Sequence, residues 1–185
     1  MSIPFTNLEC EKCGFQSGDG VIYGDFRYVD GDSEIPVKRI LGWCYDCQKF
    51  AAIEDFGDKE EVSAEIEKIQ DELRAGISKR LPIPFFRSRQ QQLPDRLEQL
   101  PELIRRLVLI ERRKGHEKCL ACGSKNVSPF DGNYSQIDPF GSDQENIRTG
   151  HIHPGCGGEF LGAISSMRFF VKYEAKFYSI DGDRV

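Results

Sequence analysis

The sequence predicts an α+β fold: two small β-ribbon units joined by an antiparallel helical hairpin, with a β-hairpin at the C-terminal end. Three observations carry this. Four short pairs of metal-type ligands, Cys10/Cys13, Cys44/Cys47, Cys119/Cys122 and His153/Cys156, punctuate the chain, each with two residues between its members. Aromatic and β-branched runs broken by Gly/Asp turns surround these pairs. Between the second and third pairs the apolar pattern changes to a helical period.

The ligand pairs come first because they use every cysteine. All seven cysteines of the 185-residue chain fall within the pairs, and His153 supplies the eighth donor. Tetrahedral sulfur and nitrogen sets of four are what zinc prefers in a structural site. Glycine directly after a pair eases the sharp turn that brings both donors to one metal. Gly14, Gly123 and Gly157 stand there, whereas Gln48 follows Cys47. Disulfides, a redox-active pair and an iron–sulfur cluster are the competing readings. The opening Met1-Ser2-Ile3-Pro4-Phe5 has no basic start or long apolar run, and no transmembrane stretch follows. The expected compartment is therefore the cytoplasm, which keeps thiols reduced. A redox motif expects one pair beside a βαβ unit; the histidine argues against an iron–sulfur cluster in the second set, and the all-cysteine first set leaves that reading open as a minor alternative. Two Zn2+ ions are the expected cofactors.

Four half-sites can be joined in three ways. Joining neighbours closes the shortest loops and loses the least chain entropy. Thirty residues separate Cys13 from Cys44, and thirty separate Cys122 from His153. The expectation is an all-cysteine site of four ligands in an N-terminal ribbon, residues 1–57. A site of three cysteines and one histidine is expected in a C-terminal ribbon with terminal strands, residues 116–185. Residues 58–115 form the hairpin between them. His151 is the rival to His153. The equal gaps suggest an internal duplication.

The elements follow in order. Val21–Tyr23, Phe26–Val29 and Pro36–Trp43 around the Asp30-Gly31-Asp32 turn predict a β-hairpin, and Phe50–Ile53 a further strand. Trp43, beside Cys44, is expected to pack over the hairpin and shield the metal. Val62, Ile66, Ile69, Leu73 and Ile77 form one helical stripe, with Asp58 as N-cap and Glu60 and Glu61 in the first turn. Leu81-Pro82-Ile83-Pro84 breaks it. A second helix is predicted from about Asp95 to Lys114, with a kink or fresh start at Pro101. Glu159–Ile164 and Arg168–Tyr173, separated by Ser165-Ser166, predict the terminal hairpin, with Lys176–Ile180 as the last patterned run.

Charge is uneven. The net −5 of the chain divides into −9 over residues 1–75, +6 over 76–114 and −2 over 115–185. Only the middle invites nucleic acid. Its Arg87, Arg89, Arg105, Arg106, Arg112, Arg113 and Lys114 are the candidate contacts, with Phe85 and Phe86 for stacking.

Paired C-x2-C knuckles around strands resemble the zinc-ribbon superfamily. The matching residues are Cys10, Cys13, Cys44, Cys47, Cys119, Cys122, His153 and Cys156; the helical middle lies outside the resemblance. The resemblance implies zinc and little about activity. With no Ser/His/Asp set, P-loop or dinucleotide loop, the expected function is a non-enzymatic module that binds a protein partner. Nucleic-acid binding through 82–114 is the second reading, and a hydrolase with an open metal position the third.

Overall fold

In a computed structural model of the chain, residues 2–78, 92–130, 147–170 and 174–185 are described. They divide into two compact units, one of residues 1–55 and 117–185, the other of residues 56–116.

The first unit is built from three small sheets. Strands β1 (Ser2–Cys10), β2 (Gln16–Gly18), β8 (Ile147–Ile152) and β9 (Glu159–Phe170) form an antiparallel sheet in the order β2-β1-β9-β8. Strands β5 (Arg39–Cys44), β6 (Lys49–Glu54) and β7 (Val127–Pro129) form a second, with β5 in the centre. Strands β3 (Phe26–Asp30) and β4 (Ser33–Pro36) make a hairpin around Gly31 and Asp32, tighter than expected: most of the predicted second strand, Pro36–Trp43, lies in β5 of the second sheet. Strand β10 (Lys176–Ser179) joins the hairpin in parallel beside β3. The expected strand at residues 21–23 is not formed; a 3-10 turn spans Asp19–Ile22.

One strand sets the core. Successive side chains of a strand face opposite sides, and β5 uses both. Leu41 and Trp43 join Leu8, Cys10, Phe50, Phe130 and Phe160 in one apolar cluster. Cys44, with Ile40 packed beside it, joins Ala51, Ile53 and Cys119 in another. Gly42 lies between, where a Cβ would meet Ile53 Cγ1 at 2.6 Å and the Ser128 carbonyl oxygen at 2.7 Å. Only glycine lets β7 approach β5 this closely. The hairpin sheet is tied to the same framework by polar bonds. Tyr28 donates its hydroxyl to Glu54 Oε1 at 2.7 Å, the Lys118 N–H donates to Glu54 Oε2 at 2.8 Å, and Tyr178 donates to the Leu120 carbonyl at 2.8 Å.

Two sequence expectations are corrected here. The terminal hairpin with a turn at Ser165-Ser166 is absent: β9 runs unbroken through both serines for 12 residues. Its long partner is β1, paired from Ser2↔Phe170 to Cys10↔Phe160 with a bulge between Pro4 and Thr6. Ser165 and Ser166 fall where the register shifts, between Thr6↔Ile164 and Pro4↔Arg168, so the interruption is taken up as a bulge between two paired stretches and not as a reversal of the chain. The separate N- and C-terminal ribbons are absent too, because the ends of the chain share one sheet.

The second unit holds α1 (Lys59–Ser78) and α2 (Gln92–Arg113), which pack on each other. Lys59 pairs with Glu111 at 2.8 Å and Asp58 with Lys114 at 3.6 Å, so the start of α1 lies beside the end of α2 and the helices are antiparallel. Asp58 caps α1 through hydrogen bonds with Glu60, which hold its carboxyl below the usual range. Val62, Ile66 and Ile69 of the predicted stripe are buried. Helix α2 continues through Pro101 without a fresh start. Among the described residues, no helix is long and apolar enough to cross a membrane.

Candidate metal centres

Each half-site is the same local turn. The N–H of the first ligand residue donates to the carbonyl five residues on: Cys10 to Phe15 at 2.9 Å, Cys119 to Ser124 at 2.8 Å, His153 to Gly158 at 2.7 Å. The N–H four residues on returns to the first residue's carbonyl: Gly14 to Cys10, Gly123 to Cys119, Gly157 to His153, at 2.7–2.9 Å. Gly14, Gly123 and Gly157 have φ between +69° and +77°. Gln48 adopts the same left-handed conformation, φ +52°, as the only non-glycine to do so among the described residues. The Cys44/Cys47 knuckle therefore has the shape of the others and carries the strain they avoid.

The knuckles join in a nested order. Cys10, Cys13, His153 and Cys156 bring their donor atoms within 4.8 Å of one another, and Cys44, Cys47, Cys119 and Cys122 do the same. The neighbour pairing expected from loop length is thus not formed: first joins fourth, and second joins third. The compositions of the two sets, one with a histidine and one all cysteine, are as anticipated, with different members. His153, through Nδ1, belongs to the outer set. His151 packs its ring between Phe50, Phe130 and Phe160 instead.

Sheet register explains the pairing. In the outer site the strand entering the first knuckle, β1, pairs with the strand leaving the last, β9. In the inner site β5 pairs with β7 in the same sense. Cys10 sits opposite Phe160, and Cys44 opposite Val127, four and five residues beyond the last ligand. The Glu11 N–H donates to the Glu159 carbonyl at 3.0 Å in one site. The Tyr45 N–H donates to the Asn126 carbonyl at 3.0 Å in the other. The two sites are structural repeats, one enclosed in the sequence of the other.

Donor geometry separates the possible chemistries. Cys10 and Cys156 sulfurs are 3.4 Å apart and Cys44 and Cys122 sulfurs 3.6 Å. A disulfide needs about 2.05 Å, and all seven cysteines are free. Cys13 and Cys156 lie 3.2 and 3.3 Å from His153 Nδ1. Sulfurs about 2.3 Å from a tetrahedral metal stand about 3.8 Å apart, so both sets are near the size of such a cage.

Charge makes the same point. Burial opposes ionisation of Cys10, but the N–H groups of Cys13 and Lys12 and contacts with Cys156 and His153 outweigh it and lower its pKa to about 6. Burial, then the neighbouring Cys122 and Cys44, raises Cys47 strongly. Burial raises Cys119 to about 11, with Cys122 and Cys44 adding to the rise. Cys122 is lowered: burial is overcome by the Ser124 N–H and the other sulfurs. In the outer set the Gly158 N–H favours the Cys156 thiolate, but desolvation and the neighbouring Cys10 and Cys13 outweigh it and shift Cys156 up while Cys10 is shifted down. The inner set divides in the same way, because crowded thiolates repel. A bound cation removes that conflict.

Aromatic packing surrounds the outer site. Phe15, Trp43 and Phe160 each lie 5.1 Å, ring centre to ring centre, from His153. Trp43 is fully buried. Its backbone adjoins the inner ligand Cys44, yet its ring covers the outer ligand. The expected shielding of the adjacent metal is thus corrected: the strand's alternation turns the ring to the other face. Lys12 bridges the outer knuckles by donating to the Cys156 carbonyl at 2.7 Å. Gly158 is required by close approach: a Cβ there would lie 2.8 Å from Cys10 Sγ and 2.5 Å from Lys12 Cβ. Sequence reasoning singled out neither Lys12 nor Gly158; the doubled glycine after Cys156 was the available signal.

Of the basic candidates, Arg87 and Arg89, with Phe85 and Phe86, lie outside the described residues. Arg113 is buried with its guanidinium over the Phe56 ring, and Lys114 faces Asp58. Arg105 and Arg106 are half-buried and Arg112 is exposed.

Compared with protein families, curated proteins and solved structures, the chain matches none.

Proposed function

We propose that this chain is a non-enzymatic, zinc-binding interaction module, an adaptor or regulator that presents a metal-held framework to a protein partner. The observation that carries this is the closed donor count: each set gathers four protein ligands. A catalytic zinc keeps one position for water, whereas four protein donors saturate a tetrahedral ion. Thiolate and imidazole together suit zinc among the divalent ions. A protein partner is preferred over nucleic acid because Arg113 and Lys114 make contacts within the helical unit.

The test has two parts. The full chain, prepared without chelator, should carry two zinc ions by elemental analysis. The zinc-loaded chain should then recover a partner from its native source that a Cys13→Ser/Cys122→Ser variant does not. Recovery of background alone, or equal recovery by both, would overturn the reading. Metal-dependent turnover of an ester or peptide by the loaded chain would favour the hydrolase instead.

A further inference from the structure

Helix α2 carries two apolar faces. One holds the buried Ile110 and packs within the helical unit. The other is exposed: Leu97, Ile104 and Val108 retain 54%, 50% and 46% of their surface, although all three are large aliphatic residues. With the exposed Pro101 they recur at steps of four, three and four. On a helix of 3.6 residues per turn this is a single stripe, with the period of a coiled-coil seam. Loaded zinc sites are remote in sequence from this face, so the inference goes beyond the proposed function.

The flanks say what covers the stripe. Leu97 and Ile104 fall at d positions of the heptad, and Pro101 and Val108 at a. Glu98 and Arg105 then occupy successive e positions on one flank, and the half-buried Leu100 and Leu107 occupy the g positions on the other. Among the described residues, neither Glu98 nor Arg105 makes an ion pair. A second α2 laid antiparallel, with its two-fold axis between residues 101 and 104, sets Leu97 against Val108 and Pro101 against Ile104. In that arrangement e positions face e positions. Glu98 of each copy meets Arg105 of the other, and Leu100 meets Leu107. A parallel pair sets e against g, which puts both charges opposite leucine. The sequence of the face is therefore complementary to itself in one orientation only, as a two-fold interface requires.

From this self-complementarity we infer that the exposed face of α2 is a homodimer interface, occupied by α2 of a second copy in antiparallel orientation. The seam is about two heptads long, well short of the area of a permanent complex. The association is reversible, with a dissociation constant on the order of tens of micromolar.

The test is sedimentation analysis of the full, zinc-loaded chain across a concentration series. Wild type should pass from monomer to dimer. Ile104→Glu should abolish the dimer. Glu98→Arg and Arg105→Glu each set like charges together and should weaken it about ten-fold or more, while the combined E98R/R105E chain should return to within about three-fold of wild type. Helical circular dichroism confirms that each variant is folded. A chain that stays monomeric at all concentrations overturns the proposal and leaves the stripe to a partner of another sequence. A dimer that survives Ile104→Glu, or a double exchange that fails to restore association, overturns it as well.

Discussion

The nested joining of the knuckles can be tested by removing two ligands at a time. Take Cys13→Ser/Cys156→Ser. Both positions are at or near the surface, Cys13 exposed and Cys156 half-buried, so serine removes donors without opening a core cavity. Both belong to the outer set, leaving Cys44, Cys47, Cys119 and Cys122 complete. The variant should retain one zinc with all-sulfur coordination. In neighbour pairing the same two substitutions would strike one ligand of each site and leave no complete set. Cys13→Ser/Cys47→Ser reverses the outcome: the nested chain loses both sites, and a neighbour-paired chain would keep one. The magnitudes support a clean readout. The outer and inner sites close loops roughly five-fold and two-fold longer than thirty residues, which costs about 2 kcal/mol of chain entropy for both together. A structural zinc contributes on the order of 10–16 kcal/mol of apparent binding energy, so the remaining set should hold its ion. Elemental analysis gives the stoichiometry, and the visible spectrum of the cobalt-substituted chain distinguishes four sulfurs from three sulfurs and one imidazole. One zinc in the Cys13→Ser/Cys47→Ser chain would refute the nested arrangement.

Three further outcomes follow from single positions. Gln48→Gly should relieve a left-handed backbone and raise holo-protein stability by about 1 kcal/mol at most, a rise of ~2–4 °C in melting temperature; Gly157→Gln imposes the same strain and should lower it by ~1–2 kcal/mol. Equal melting temperatures for all three chains would contradict that account. Gly158→Ala drives a methyl into Cys10 Sγ and Lys12, and should weaken zinc at the outer site about ten-fold or more while the inner site keeps its affinity; competition with a chelator measures both. Asp19 is buried, and burial raises its carboxyl pKa despite the hydrogen bond from the Thr6 N–H at 2.9 Å. A folded pKa above the unfolded one means that the ionised form destabilises the fold. The penalty is present above the folded pKa and fades as pH falls through it. Asp19→Asn keeps the acceptor oxygen and should raise the urea midpoint more at pH 8 than near the ordinary aspartate pKa of about 3.9, followed through the fluorescence of Trp43, the chain's one tryptophan; a gain that ignores pH would contradict the sign.

The metal donors were legible in the sequence because a knuckle is a local object. Its six residues close their own hydrogen bonds, so spacing marks each one and a following glycine marks three of the four. Helix α1 was legible for the same reason: its cap and its 3.6-residue stripe lie within one segment. Strands are legible beside a local turn: β3 before Gly31-Asp32, and β5 and β6 on either side of the Cys44/Cys47 knuckle. They are illegible where pairing is distant, as in β9, whose two serines mark a register shift against β1 and not a turn.

What the sequence determined by itself is therefore the number of half-sites, their donors and the helical hairpin that interrupts them. Which half-site meets which was decided only in the tertiary structure. Loop entropy favours near neighbours, but it grows with the logarithm of length and amounts to a couple of kcal/mol. Against it stand the eight paired residues of β1 and β9 and the burial of Leu8, Trp43, Phe50 and Phe160, each contributing about 2–3 kcal/mol. The alternation of β5 makes Trp43 cover one donor set while Cys44 belongs to the other, so the core that joins the chain ends is the same core that selects the partners.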